Sequence, residues 1–407
     1  MGSRDQRSPA LPNLITTATN KFSNRLPLPA WGCRFAPCDL RRVNFETTTI
    51  KLPMEAIPLK HYNIFVGPIE LQLAAFLKGL DYSQLFVIAD ENTERHCLPR
   101  LEKALGQSPF SLVSVPSGEA NKNLDSCRLI WKELMGQEAG RDALVINLGG
   151  GVIGDMGGFC AATFKRGIRF IQAPTTLLSQ VDASIGGKLG IDFLQVKNSI
   201  GLFQDPLAVF IDPAFLDTLP SREIRSGFAE LIKHSLIANA EQWARIRQLG
   251  RLENMDWESI IVHSLHIKRR IVEQDPLEKG IRKALNFGHT IGHAVEGLAL
   301  ETDTPLLHGE AVAIGLACEA YLSHQILGLP LKEVAQIGRY IVQQYGHYPQ
   351  NPNHYPDLLA LMRNDKKNQG GQINFTLINP LGQAAINQHC NPELIEESLN
   401  YYNGLAY

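Results

Sequence analysis

Residues 143–148 are apolar except for Asn147, and they run straight into three consecutive glycines, Gly149, Gly150 and Gly151. A continuous apolar run of that length, closed by glycine, reads as a strand buried on both faces. Burial on both faces requires helices on either side, and hence a mainly parallel sheet joined by helical crossovers. The flanking chain keeps that rhythm. YNIFVG (62–67) alternates like a strand, and LFVIAD (85–90) is an apolar strand followed by a helical segment through Leu105. SLVSVP (111–116) is a strand before a helix over 124–136, and RFIQAPTT (169–176) and LAVFIDP (207–213) are further strands.

Past TLPSREIRSG (218–227) the texture changes. Apolar residues recur at three-to-four spacing, the mark of amphipathic helices. Helices are expected over 228–238, 259–274, 283–300, 308–327, 331–346, 356–364 and 393–402, with a short hairpin-like element over 372–388. The expected fold is an α/β N-terminal domain, Rossmann-like and mainly parallel, over 56–220. An all-α C-terminal domain over 221–407 follows, with a cleft between the two.

Residues 1–55 differ from everything after them. They are rich in Pro, Ser, Thr, Asn and Arg and poor in acids, with no sustained period. That suits an organelle transit peptide, or a disordered or non-native leader with the natural start at Met54. Of the 407 residues, 44% are hydrophobic, ample for the cores of two domains. A net charge of −2 gives no footprint for nucleic acid. Seven scattered cysteines without a C-x-x-C read as reduced thiols of a cytoplasmic protein. No apolar run approaches the roughly 18 residues of a membrane span, so no membrane partner is expected.

The chemistry-bearing residues fall into three groups. GGGVIGD (149–155) follows a strand and opens a helix, so its backbone N–H groups can face a pyrophosphate. The spacing is not G-x-G-x-x-G, and a plain tight turn accounts for it equally. Asp90, at a strand end, suits a ribose hydroxyl or a helix N-cap. In the helical part, His289 and His293 lie four apart on one helical face, each preceded by glycine, and His308 opens another helix. Two imidazoles and a carboxylate such as Glu230 form a site suited to Zn²⁺ with one position left open. Thr290 after His289 excludes an H-E-x-x-H protease. The third group is basic: Arg166, Lys188, Lys197, Lys233, Lys268, Arg282 and the pair Lys366 and Lys367. Each alone reads as a surface charge. Lys188 and Lys197 in glycine-rich turns are a common phosphate grip, and together these cations suit a substrate bearing both carboxylate and phosphate.

Taken in order, GGGVIGD, APTTLLSQVDASIGGK (173–188), VKNSIG (196–201), TLPSREIRSGFAELIKH (218–234), RKALNFGHTIGHAVE (282–296), HGEAVAIG (308–315) and NDKK (364–367) resemble the 3-dehydroquinate synthase family of sugar phosphate cyclases. The match runs from about residue 60 to the C-terminus. The resemblance implies Zn²⁺, with Co²⁺ also suited, on Glu230, His289 and His308. It implies NAD on Asp90, Asn92, Glu119, Lys122, Gly150, Gly151, Asp155, Thr175, Thr176 and Thr218, with Asp182 and Lys197 reaching toward the reacting carbon. It implies a sugar phosphate substrate on Lys188, Asn198, Lys233, Lys268, Arg282, Asn286, His293, Lys366 and Lys367. His293 would relay a proton in concert with Asn286. Arg166 matches an arginine that reaches the phosphate from the neighbouring subunit, which implies a homodimer. The implied reaction converts 3-deoxy-D-arabino-heptulosonate 7-phosphate to 3-dehydroquinate and phosphate, with NAD reduced and reoxidised within one turnover. One departure is visible. Many members read GKTxVNHPLGKN where this chain reads GKLGIDFLQVKN (187–198), keeping the length and the Lys-Asn pair. The competing readings are another sugar phosphate cyclase, a metal-dependent alcohol or glycerol dehydrogenase, and a metabolite-binding protein without catalysis.

Overall fold

The computed structural model describes residues 55–405 other than 195, 250, 251, 253, 254, 301, 303, 304 and 365–371. The leader up to residue 54, and with it Lys366 and Lys367, lies outside the described residues.

Seven strands form one sheet, in spatial order Glu55–Pro58, Asn63–Val66, Ala208–Ile211, Arg169–Pro174, Leu144–Gly149, Leu85–Asp90 and Ser111–Val115. Only the first pair is antiparallel. Every residue of Leu144–Gly149 is buried, as its apolar run requires. Alternate side chains feed two layers. Phe86, Ile88 and Val145 pack under Ile130, Leu134, Met156 and Phe159, from helices Leu124–Gly136 and Gly151–Thr163. Val87, Leu144 and Ile146 pack under Leu73, Leu77, Leu101 and Leu105, from helices Leu73–Lys78 and Leu98–Leu105. A third apolar cluster joins the edge strands to the helical body, where Ile64, Val209 and Ile211 meet Phe228, Ile232, Ile291 and Val312. The helices of that body are Ser221–Ala238, Ala240–Ile246, Trp257–Gln274, His289–Ala299, His308–Leu327, Leu331–Tyr345, Tyr355–Arg363 and Pro392–Asn403. The expected hairpin is present as Asn374–Ile378 paired with Ala384–His389.

Four local expectations change. Residues 187–203 are not a set of glycine turns. They form an antiparallel hairpin, Lys188–Phe193 against Val196–Phe203, in which Gly190 faces Gly201. Lys188 and Lys197 therefore sit in strands, with the turn glycines Gly186 and Gly187 just before Lys188. The expected helix 283–300 is broken into a short turn, Ile281–Asn286, and the helix His289–Ala299, because Gly288 takes a left-handed φ of +82°. The His308–Leu327 helix is not amphipathic, being buried without interruption from Gly309 to Ala320. A further strand, Glu55–Pro58, precedes and pairs with the one expected in YNIFVG (62–67).

Candidate active site

The sheet delivers its glycines to its carboxyl edge. Gly150 is the N-cap of Gly151–Thr163 and offers no side chain to the helix end. The first N–H groups of that helix thus face a hollow lined by Gly149, Gly150, Gly151, Asp155, Pro174 and Ser179. A helix N-terminus at the carboxyl edge of a parallel sheet is where such folds bind phosphate-bearing cofactors. The hollow is close-walled, since a Cβ on Gly150 would stand 3.0 Å from Thr176 Cγ2. Thr175 donates its N–H to Gly149 O at 2.9 Å, and the Thr176 hydroxyl pairs with Ser179 Oγ at 2.9 Å. Asp90 ends the neighbouring strand and caps the next helix, its Oδ1 accepting from the N–H groups of Asn92 at 3.0 Å and Thr93 at 2.9 Å. The carboxylate's hydrogen bonds among the described residues all use Oδ1. Thr218 closes the turn Pro213–Thr218.

Lys122 ties this floor to the hairpin. Its buried Nζ donates to Asp155 Oδ2 and to Asn198 Oδ1, each at 2.6 Å. Burial opposes the ammonium charge, but Asp155 and Glu119 outweigh it and lift the pKa above its ordinary value. Lys197 Nζ lies 3.8 Å from Glu119 and 2.6 Å from Glu296 Oε1.

The metal-type cluster is made of side chains. Glu230, on Ser221–Ala238, has no solvent exposure. Its Oε1 stands 3.5 Å from His289 Nε2 and 3.7 Å from His308 Nε2. Those separations exceed ordinary hydrogen bonds. They are close to the roughly 3.3–3.4 Å expected between two ligands that each lie about 2.0–2.1 Å from a tetrahedral ion. The other ring nitrogens are engaged. His289 Nδ1 meets Phe287 O at 3.2 Å, and His308 Nδ1 meets Glu296 Oε2 at 3.1 Å. With the proton on Nδ1, both rings turn an Nε2 lone pair toward Glu230. His293 joins them. The three histidines bring one nitrogen each within 4.8 Å of one another, with ring centroids 5.2, 5.4 and 5.8 Å apart. The donor set fits a divalent cation.

Close helix packing puts those rings together. A Cβ on Gly315 would lie 1.9 Å from Gly288 O, so the histidine-bearing helix and its neighbour touch backbone to backbone. Buried Glu319, from the neighbour, accepts the N–H groups of Gly288 at 2.6 Å, Thr290 at 3.0 Å and Ile291 at 3.2 Å. A buried carboxylate thus satisfies the orphan donors of the His289–Ala299 helix and complements its dipole.

Between floor and cluster lies a row of cations. Lys268 Nζ donates to Asp182 Oδ1 at 2.7 Å. Burial pushes the Lys268 pKa down to about 8, with Asp182 acting against it. Lys233 pairs with Glu230, and burial there is outweighed by Glu230 and Asp182, which keep the ammonium charged. Arg282 donates to Pro276 O at 2.6 Å and to Gly186 O at 3.2 Å, bracing the turn before Lys188. Lys188 pairs with Glu278, whose other oxygen accepts from Asn286 Nδ2 at 3.0 Å.

Arg166 is the expected site residue that this chain does not bring to the others. It follows the far end of Gly151–Thr163, a helix of 13 residues, roughly 20 Å from the hollow. There it is exposed, with φ +71°. Three carboxylates without a motif of their own support the candidate site: Glu278 and Glu296 pair with its lysines, and Glu319 caps the helix that carries His289. Glu296 alone left a signal, since it lies seven residues after His289 and so on the same helical face.

A parallel sheet with a glycine-lined hollow at its carboxyl edge, opposed by a buried carboxylate–histidine cluster on a helical body, places the chain in the α/β-plus-helical class. Solved structures share this fold. A 2-epi-5-epi-valiolone synthase from Streptomyces hygroscopicus subsp. jinggangensis, with NAD⁺ and Zn²⁺ bound, is 25% identical with a TM-score of 0.72, over 86% of this chain and 99% of that one. A 2-deoxy-scyllo-inosose synthase, complexed with carbaglucose-6-phosphate, NAD⁺ and Co²⁺, shares the fold at 21% identity and a TM-score of 0.73, over 86% of this chain and 99% of that one. Residues 112–226 match the family described as 3-dehydroquinate synthase N-terminal, and 227–368 its C-terminal counterpart. The 3-dehydroquinate synthase of Parabacteroides distasonis is 46% identical over 81% of this chain and 94% of its own length. That of Bordetella pertussis is 40% identical over 81% and 93%. The chain belongs to the 3-dehydroquinate synthase family.

Proposed function

We propose that this site converts 3-deoxy-D-arabino-heptulosonate 7-phosphate to 3-dehydroquinate and phosphate. The observation that carries the reading is the apposition of the Gly150 hollow and the Glu230–His289–His308 cluster across a row of cations, of which Lys233, Lys268 and Arg282 are buried. When bound, NAD would take up and return a hydride at the C5 carbinol, and the divalent metal, Zn²⁺ by its donor set, would polarise that carbinol. Gly150, Gly151, Thr175 and Thr176 cradle the cofactor, and Asp90 keeps Oδ2 for a ribose hydroxyl while Oδ1 caps its helix. Lys188, Lys268 and Arg282 receive the substrate's carboxylate and phosphate, in competition with their internal partners Glu278, Asp182, and the carbonyls of Pro276 and Gly186. Lys233 keeps Glu230 ionised as a ligand. His293, with Asn286, moves a proton at the C5 oxygen. Held on fixed groups, the substrate loses phosphate and closes its ring before release.

The separation of Arg166 from its own site supports a homodimer in which each chain lends Arg166 to its partner. The described cysteines are all free thiols, in keeping with a reducing cytoplasm. Residues 56–220 and 221–407 are read as the two domains whose cleft holds the substrate. The test is incubation with the heptulosonate phosphate, catalytic NAD and Zn²⁺, following phosphate, dehydroquinate and absorbance at 340 nm together. One phosphate per carbocycle with no net NADH is expected. Steady NADH accumulation would make the protein a dehydrogenase instead.

A further inference from the structure

We infer that Glu296 is a positioning residue shared by the two halves of the site, one carboxylate oxygen setting the tautomer of His308 and the other holding Lys197. The inference rests on the reading that Glu230, His289 and His308 hold a metal and that Lys197 contacts NAD. Glu296 is 6% exposed and belongs to the same helix as His289 and His293. Its Oε2 meets His308 Nδ1 at 3.1 Å and its Oε1 meets Lys197 Nζ at 2.6 Å. Among the described residues each oxygen has that one hydrogen-bond partner. Lys197 comes from the Val196–Phe203 strand of the hairpin, so this buried carboxylate bridges the cofactor side and the metal side directly.

Only a carboxylate can do both jobs. Both partners are donors, and a carboxylate accepts on both oxygens. A glutamine of the same shape must turn its NH₂ toward one of them. Facing Lys197, it loses the ammonium. Facing His308, it drives the proton to Nε2 and removes the lone pair a metal needs. Partners of this kind on metal-binding histidines typically carry about 10–100-fold in metal affinity.

The test is made on the full chain, with Zn²⁺ affinity read by competition with a chromophoric chelator and NAD affinity by titration at saturating Zn²⁺. Glu296→Ala removes both acceptors and is expected to weaken Zn²⁺ binding by about 10–100-fold and to weaken NAD binding as well, whereas Glu296→Gln should spare the partner that its oxygen still faces. Glu296→Asp keeps the charge but is shorter by one carbon–carbon bond, about 1.5 Å, and should weaken both more mildly. If Glu296→Ala does not fold, Glu296→Asp decides. Wild-type affinity for either ligand in that deciding variant overturns shared positioning. Two controls separate this from failure of the underlying reading. If His289→Ala binds Zn²⁺ as tightly as wild type, or Lys197→Met binds NAD as tightly, the site assignment itself falls and the inference with it.

Discussion

The floor around Gly150 is a surface of backbone, whereas the cluster around Glu230 is a surface of side chains. At the floor, one atom added to Gly150 would meet Thr176 Cγ2 at 3.0 Å, and glycines and other small residues make up most of the lining of the hollow. At the cluster, every contact is made by a long side chain with its far side already engaged: Glu230 by Lys233, His289 by Phe287 O, His308 by Glu296. Backbone binding spreads its energy over many weak donors. A metal site concentrates it in three or four ligands. Single substitutions should therefore damage the cluster far more than the floor.

The sharpest contrast is at the ligands. Glu230→Gln and His289→Ala should lose bound metal and lower kcat/KM on the order of 10³-fold, the several kcal/mol a Lewis acid supplies. Metal content of the purified variants, measured beside turnover, checks this. Retention of full metal content would show that the cluster is only a packed polar core.

His293 tests how finely the cluster divides its labour. Its ring is nearly as close to the other two as they are to each other. The proton-relay role predicts that His293→Ala keeps its metal and loses kcat by roughly 10²-fold. Loss of metal equal to that in His289→Ala would make His293 a ligand instead.

The same contrast decided what could be read from the chain. The sheet was legible because strands buried on both faces leave apolar runs, and Leu144–Gly149 is buried at every position. The histidine cluster was legible through the family motifs and the four-residue spacing of His289 and His293. The hairpin at Lys188 was not, because Gly190 and Gly201 read as turn residues until their strands are seen to face each other. Glu319 was hidden for a different reason. It lies 29 residues beyond Thr290 in the middle of an apolar helix, and only the packing of the two helices shows it capping the other. Contacts that depend on tertiary approach leave no local period.

Between floor and cluster, Lys268 supplies a pH signature. Its pKa, pushed down by burial to about 8, means the ammonium is present below that pH and lost as pH rises through it. The KM for the anionic substrate should accordingly climb above pH 8. Lys268→Met should raise KM roughly tenfold at pH 7, the worth of one charge-assisted hydrogen bond, and should flatten that climb. An unchanged pH profile in the variant would remove Lys268 from the anion site.

The smallest effect is expected at Asp90, where the floor does use a side chain. Oδ1 is committed to the helix cap, so structural and cofactor roles can be separated by choosing the replacement. Serine caps a helix about as well as aspartate but is too short to reach a ribose, whereas alanine does neither. Asp90→Ala should cost about 1 kcal/mol of stability together with a severalfold rise in KM for NAD. Asp90→Ser should restore most of the melting temperature and keep the raised KM. If serine restores both, Asp90 is a cap and nothing more, and the floor is then a surface of backbone at this position too. If serine restores stability alone, the floor has at Asp90 a side-chain contact whose loss is felt only by the cofactor.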